Sequence, residues 1–142
     1  MGDEFMDIWK ECIDEALLSL QTDDVPIGAI IVDSMGNFVE KGHNTREATK
    51  SILGHAEINA IVKASQHLNR WNFADCDLFV TLKPCSMCME VIKQSRIRNV
   101  YYLLDKPSTK KEYNKTEFIK ESNISSEQMY HNILSDFFAQ KR

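Results

Sequence analysis

A layered α/β domain built on a mixed sheet is what this sequence predicts, from three observations. Apolar residues recur at helical spacing in several stretches. Short runs rich in β-branched and aromatic residues lie between them. The two kinds alternate in the order α-β-β-α-β-α-β, with one more helix at the end, which suits helices covering the faces of a sheet. The chain has 142 residues, 43 % apolar and 27 % charged. That size and mix suit a single domain, residues 1–142, around one core.

Taken in order, residues 4–20 place Phe5, Ile8, Trp9, Cys12, Ile13, Ala16, Leu17 and Leu20 on one helical face. The pattern breaks over Gln21–Pro26. Ile27–Val32 is β-branched throughout much of its length and reads as a buried strand. Ser34-Met-Gly-Asn37 is a turn, and Phe38–Lys41 a second strand, giving a hairpin. His43–Gly54 is polar and reads as a loop. His55–Leu68 has Ile58, Ile61, Val62, Ala64 and Leu68 at helical spacing. Cys76–Leu82 is a strand, and Pro84 with Ser86 opens a helix to about Ser95. Arg98–Leu104 is a further strand. Asp105–Asn123 is polar and lysine-rich, without a clear period. Ser125–Ala139, with Met129, Ile133, Leu134, Phe137 and Phe138, is a last amphipathic helix.

Composition excludes some function classes. No apolar run approaches the ~20 residues needed to cross a bilayer. Asp3, Glu4 and Asp7 give the first ten residues the wrong charge for a secretory signal. A cytoplasmic location and reduced cysteines are therefore expected. The net charge of −4 argues against broad nucleic-acid binding. Charge is uneven, however: residues 1–92 balance at −8 and residues 93–142 at +4. A local basic surface in the last third is compatible with that.

The chemistry concentrates in two short motifs, His55-Ala-Glu57 and Pro84-Cys-Ser-Met-Cys88. Cysteines at i and i+3 share a helix face, so Cys85 and Cys88 can grip one metal ion. A helix N-terminus favours their thiolate forms. With His55 they make three ligands. Zinc takes four, which leaves a position for water, as in a catalytic site rather than a closed structural one. Glu57, two residues from a ligand, is placed to shuttle protons. A lone Cys-x-x-Cys would equally suit redox work or a zinc knuckle. A structural zinc site would need a fourth ligand from Cys12, Cys76, His43, His67 or His131. The combination of His-x-Glu with Pro-Cys-x-x-Cys is the zinc-deaminase signature.

On these motifs the chain resembles the cytidine deaminase-like superfamily, and within it the bacterial tRNA adenosine deaminases. The resemblance is carried by Val25-Pro-Ile-Gly-Ala-Ile30, Gly42-His-Asn44, His55-Ala-Glu57, Thr81-Leu-Lys-Pro-Cys-Ser-Met-Cys88, Ser95-Arg-Ile97 and Leu134-Ser-Asp-Phe-Phe138. It implies a three-layer α/β/α sandwich with a mixed five-stranded sheet, the fifth strand falling within Asp105–Asn123. It implies one Zn²⁺ held by His55, Cys85 and Cys88, with Glu57 as the catalytic proton shuttle. Asn44 and the backbone N–H of Ala56 would bind the base. It also implies a homodimer acting on the wobble adenosine of a tRNA anticodon loop.

Two departures stand out. Lys83 replaces the family's usual Glu before Pro-Cys. The segment after Leu104 lacks the usual glycine-containing stretch that helps hold RNA. Lys106, Lys110 and Lys111 in that segment are candidate RNA contacts, with Tyr113 and Phe118 near them. A solvated surface segment is the plainer alternative. Two rival functions follow: a deaminase of a free nucleobase or nucleoside, and a non-catalytic zinc-stabilised interaction domain. Cys12 and Cys76 read as core thiols, and Trp9 and Trp71 as packing anchors. His67 and His131 read as surface residues. Phe137 and Phe138 would close either a pocket wall or the core.

Overall fold

The structure, a computed structural model, describes residues 7–105 and 116–141, which fall into two compact units. The first opens with α1 (Ile8–Leu17). Asp7 caps it, its Oδ1 accepting from the Lys10 N–H at 3.2 Å. The helix tightens into a 3₁₀ turn at Leu18–Thr22 and ends where Asp23 turns left-handed, at φ 58°. β1 (Gly28–Asp33) and β2 (Phe38–His43) follow as the predicted antiparallel hairpin. Its turn is held by Asp33 Oδ1, which accepts from the N–H groups of Met35 and Asn37. Gly36 supplies the positive φ the turn requires.

The predicted loop between His43 and Gly54 contains a one-turn helix, α2 (Arg46–Thr49). Then come α3 (Ala56–Leu68), β3 (Cys76–Leu82), α4 (Ser86–Gln94) and β4 (Asn99–Leu104). The second unit holds α5 (Ile124–Gln140), capped by Asn123. Residues 116–123 have no regular structure.

The strand order is β2-β1-β3-β4, with β3 and β4 parallel and the other pairs antiparallel. The sheet is mixed, as the sequence predicts. It has four strands among the described residues, not five. Residues 116–123 add no strand, and the remainder of the expected segment lies outside the described residues. One bulge interrupts the β1–β2 ladder, with Ile31 opposite Glu40 and Val32 opposite Phe38, so Val39 is the extra residue.

β1 is buried on both faces, which explains its unbroken apolar run. Ile30 and Val32 pack with Cys12, Ile8, Trp9 and Phe79 under α1. Ala29 and Ile31 pack on the opposite face with Ala56, Ala60, Ile61 and Ala64 of α3 and Ile92 of α4. Layers of helix, sheet and helix result. Cys12 and Cys76 are fully buried, as expected of core thiols. Burial pushes their thiols up, Cys12 to about 12 and Cys76 to about 11. Trp9 packs edge-on against Phe79, with ring centroids 5.5 Å apart. Trp71 is instead 63 % exposed. Phe137 and Phe138 lie on α5 in the second unit, packed edge to face with ring centroids 5.3 Å apart.

Candidate metal centre

His55 and Cys85 occupy equivalent places, each the residue capping the N-terminus of a helix on the same side of the sheet. His55 precedes α3 with extended backbone, and its carbonyl takes the Asn59 N–H at 2.9 Å. Cys85 precedes α4, and its carbonyl takes the Met89 N–H at 2.9 Å. Neither cap side chain is used on its own helix, so both reach outward. Pro84, buried, stands one residue before the cap rather than at the first helical position the sequence suggested.

Cys88, one turn into α4, completes the group. The ligand atoms of His55, Cys85 and Cys88 lie within 4.8 Å of one another. His55 Nδ1 is 3.3 Å from Cys88 Sγ and 3.7 Å from Cys85 Sγ. Zinc–sulfur bonds of about 2.3 Å and a zinc–nitrogen bond of about 2.0 Å at tetrahedral angles place nitrogen and sulfur about 3.5 Å apart. The observed separations bracket that value, so the donor set fits one Zn²⁺ in both chemistry and spacing. The rival fourth ligands in this unit are engaged elsewhere. Cys12 faces the Phe79 carbonyl, Cys76 faces Asp75, His43 pairs with Glu15 and His67 meets the Val39 carbonyl.

Glu57 sits in the first turn of α3, 3 % exposed. Desolvation pushes the Cys88 thiol up, and the charges of Glu57 and Cys85 push it further. Glu57 is therefore beside the ligand group. Zinc would reverse that shift by taking the thiolate and releasing a proton.

His55, Glu57 and Cys85 line a cleft of about 260 Å³, together with Asn44, Leu82 and Lys83. The volume lies just below the ~300–1,000 Å³ usual for small-molecule sites, which suits one base. Asn44 Oδ1 accepts the Ala56 N–H at 2.8 Å. The Ala56 N–H is thus committed to Asn44, and the Asn44 amide NH₂ is the group left for a ligand. Lys83 lies in the β3–α4 connection, its Nζ 5.9 Å from the centre of the Tyr102 ring. Lys106, Lys110 and Lys111 lie outside the described residues.

Sequence reasoning missed the residues that hold the cleft wall. Asp24, 6 % exposed, accepts from the N–H groups of Glu47 and Ala48 and from the Thr22 hydroxyl. Its burial acts to raise the carboxyl, but these donors outweigh it and hold it below the usual carboxylate range. Ser19, fully buried, donates to the Asn44 carbonyl at 2.9 Å. Nothing in local sequence pattern marks these long-range bonds.

Residues 3–104 match the family described as the cytidine and deoxycytidylate deaminase zinc-binding region. A tRNA-specific adenosine deaminase of Streptococcus pyogenes serotype M18 is 42 % identical over 93 residues, covering 66 % of this chain and 58 % of that protein. The match thus spans little more than half the length of this relative. A solved structure from work on A-to-I editing by tRNA:A34 deaminases at the wobble position superposes with a TM-score of 0.67 at 34 % identity. That superposition covers 70 % of this chain and 75 % of the other. The guanine deaminase of Bacillus subtilis shares the fold, with a TM-score of 0.71 at 24 % identity over 87 % of this chain and 90 % of the other.

Proposed function

The chain belongs to the cytidine and deoxycytidylate deaminase zinc-binding family, and on that footing we propose that it is a zinc-dependent hydrolytic deaminase. Its proposed reaction turns adenosine into inosine at the wobble position of a tRNA anticodon loop. The observation that carries this reading is the buried Glu57 beside the His55, Cys85 and Cys88 group, at the floor of a base-sized cleft. The similarity to tRNA-specific deaminases supports the choice of substrate.

His55, Cys85 and Cys88 hold the metal. Bound there, zinc supplies Lewis acidity that lowers the pKa of a water towards about 7. Glu57 would accept a proton from the attacking water as the water's oxygen bonds to C6 of the purine, and deliver that proton to N1. Glu57 would then take the remaining proton from the new C6 hydroxyl and pass it to the amine, so that the C6–N bond breaks, the C6 carbonyl forms and ammonia leaves. Adenosine and water become inosine and ammonia, with no other reactant. The amide of Asn44 donates to the base, and Ala56 acts through Asn44 by fixing it. The target base must leave its stack to reach the cleft, which is least costly in a single-stranded loop. The proposal extends to a homodimer with one Zn²⁺ per subunit, a cytoplasmic location, and residues 1–142 working as one domain. Lys106, Lys110 and Lys111 are the proposed RNA contacts.

The test is incubation of the zinc-loaded protein with an anticodon stem-loop RNA, followed by nucleoside analysis. Inosine is expected from the wild type. Glu57→Ala should lose turnover by at least about 10³-fold while keeping its zinc. Deamination of a free base or nucleoside without action on the RNA would move the substrate to a small molecule. That reading draws on the net charge of −4 and on the altered segment after Leu104. Zinc binding without turnover of either substrate would leave an interaction domain.

A further inference from the structure

Asn44 lines the cleft beside His55 and Glu57, and it and its two chain neighbours, His43 and Thr45, are tied down by hydrogen bonds. Asn44 is held at every polar atom of its backbone. Its N–H reaches the Ile27 carbonyl at 3.3 Å and its carbonyl accepts from Ser19 Oγ. Its neighbours are held by a single side chain. Asn59 Nδ2 donates to the His43 carbonyl at 2.7 Å and to Thr45 Oγ1 at 2.9 Å. Both amide hydrogens are spent, on acceptors that flank Asn44.

Asn59 also lies one turn beyond His55 in α3, its own N–H on the His55 carbonyl. One helix thus presents His55 and Glu57 at its first turn and grips the Asn44 loop from its second. The side chain is short, so the spacing between metal ligand and base donor has little freedom. Two donors on one planar group fix orientation as well as distance, which one bond would not.

We propose that Asn59 is a positioning residue for base recognition, acting through Asn44 to hold its amide in register with the His55 and Glu57 end of α3. This rests on the reading of Asn44 as the base donor. A small displacement at a reacting centre costs up to about 100-fold in rate. Asn59→Ala should lower kcat/KM on an anticodon stem-loop RNA by about 10- to 100-fold, most of it in KM, with zinc content unchanged. Asn59→Asp, which sets a carboxylate oxygen against the His43 carbonyl in place of the donor, should be at least as damaging. Thr45→Val keeps the shape and the bond to His43 and should cost about 3- to 10-fold. It also serves should Asn59→Ala fail to fold.

The deciding measurement is a double-mutant cycle. In an Asn44→Ala background, Asn59→Ala and Thr45→Val should add less than about twofold. If they cost as much there as in the wild type, their role is structural only and the proposal falls while the base-donor reading stands. If Asn44→Ala alone leaves kcat/KM unchanged, the base-donor reading falls and takes the proposal with it.

Discussion

The carboxylate of Asp77 accepts from Arg98 Nε at 3.1 Å, Arg98 Nη2 at 2.8 Å and Asn99 Nδ2 at 3.1 Å. The Arg98 bonds hold the carboxyl below the usual carboxylate range, against the burial that would raise it. Because the folded value is the lower one, the stabilisation is complete above the unfolded value of about 3.9. It is lost as pH falls through the folded value. Asp77→Asn should cost about 1 kcal/mol at neutral pH. The gap between variant and wild type in thermal unfolding should close in strong acid. At this scale the sequence made the ligand group legible, because His55, Glu57, Cys85 and Cys88 sit in two short motifs whose spacing reports their chemistry. Asn59, Ser19 and Asp24 were not legible. The partners that tie them across the fold lie 14 to 25 positions away in sequence, and a lone Asn, Ser or Asp inside or beside a helix has many uses.

Elements were predicted where periodicity or turn chemistry is local, and misjudged where tertiary contacts decide. The strand Cys76–Leu82 and the body of α3 follow from side-chain pattern alone. α2 does not, since four residues have no period and the carboxylate that takes its N–H groups, Asp24, comes from another segment. The approach of α3 to the sheet is set by Gly42. A methyl group there would meet the Ala56 carbonyl and the Ala60 N–H, each at 2.6 Å. Backbone cannot yield as a side-chain tip would, so Gly42→Ala must push α3 off β2. We expect a loss of about 1–3 kcal/mol in denaturant unfolding. Weaker zinc retention should accompany it, because His55 moves with the helix. Gly28 plays the same part for α1, where a methyl group would collide with the Cys12 carbonyl. Both glycines are visible in the sequence, but not the helices that press on them.

At the scale of the molecule, the ligand group joins α3 to α4 across 30 residues of chain. An ion bound there belongs to the folded state alone, so its binding energy adds to folding. Free zinc at about 1,000 times its dissociation constant should stabilise the protein by about 4 kcal/mol. A chelator should lower the thermal midpoint accordingly, and added zinc should restore it. An unchanged midpoint would mean that the site is not filled. The number of strands was the least legible feature at this scale, because the segment expected to supply the fifth has neither alternation nor a helical period.

The irregular outer strand bears on how copies of the protein behave when crowded. A straight, apolar margin of sheet invites a neighbour's backbone to add to it and lets filaments grow. β2 offers Glu40 and Lys41 and a kink at Val39 instead. Stacking through that flank would force the charges together and leave donors out of step, so this side of the sheet is a poor seed for fibrils.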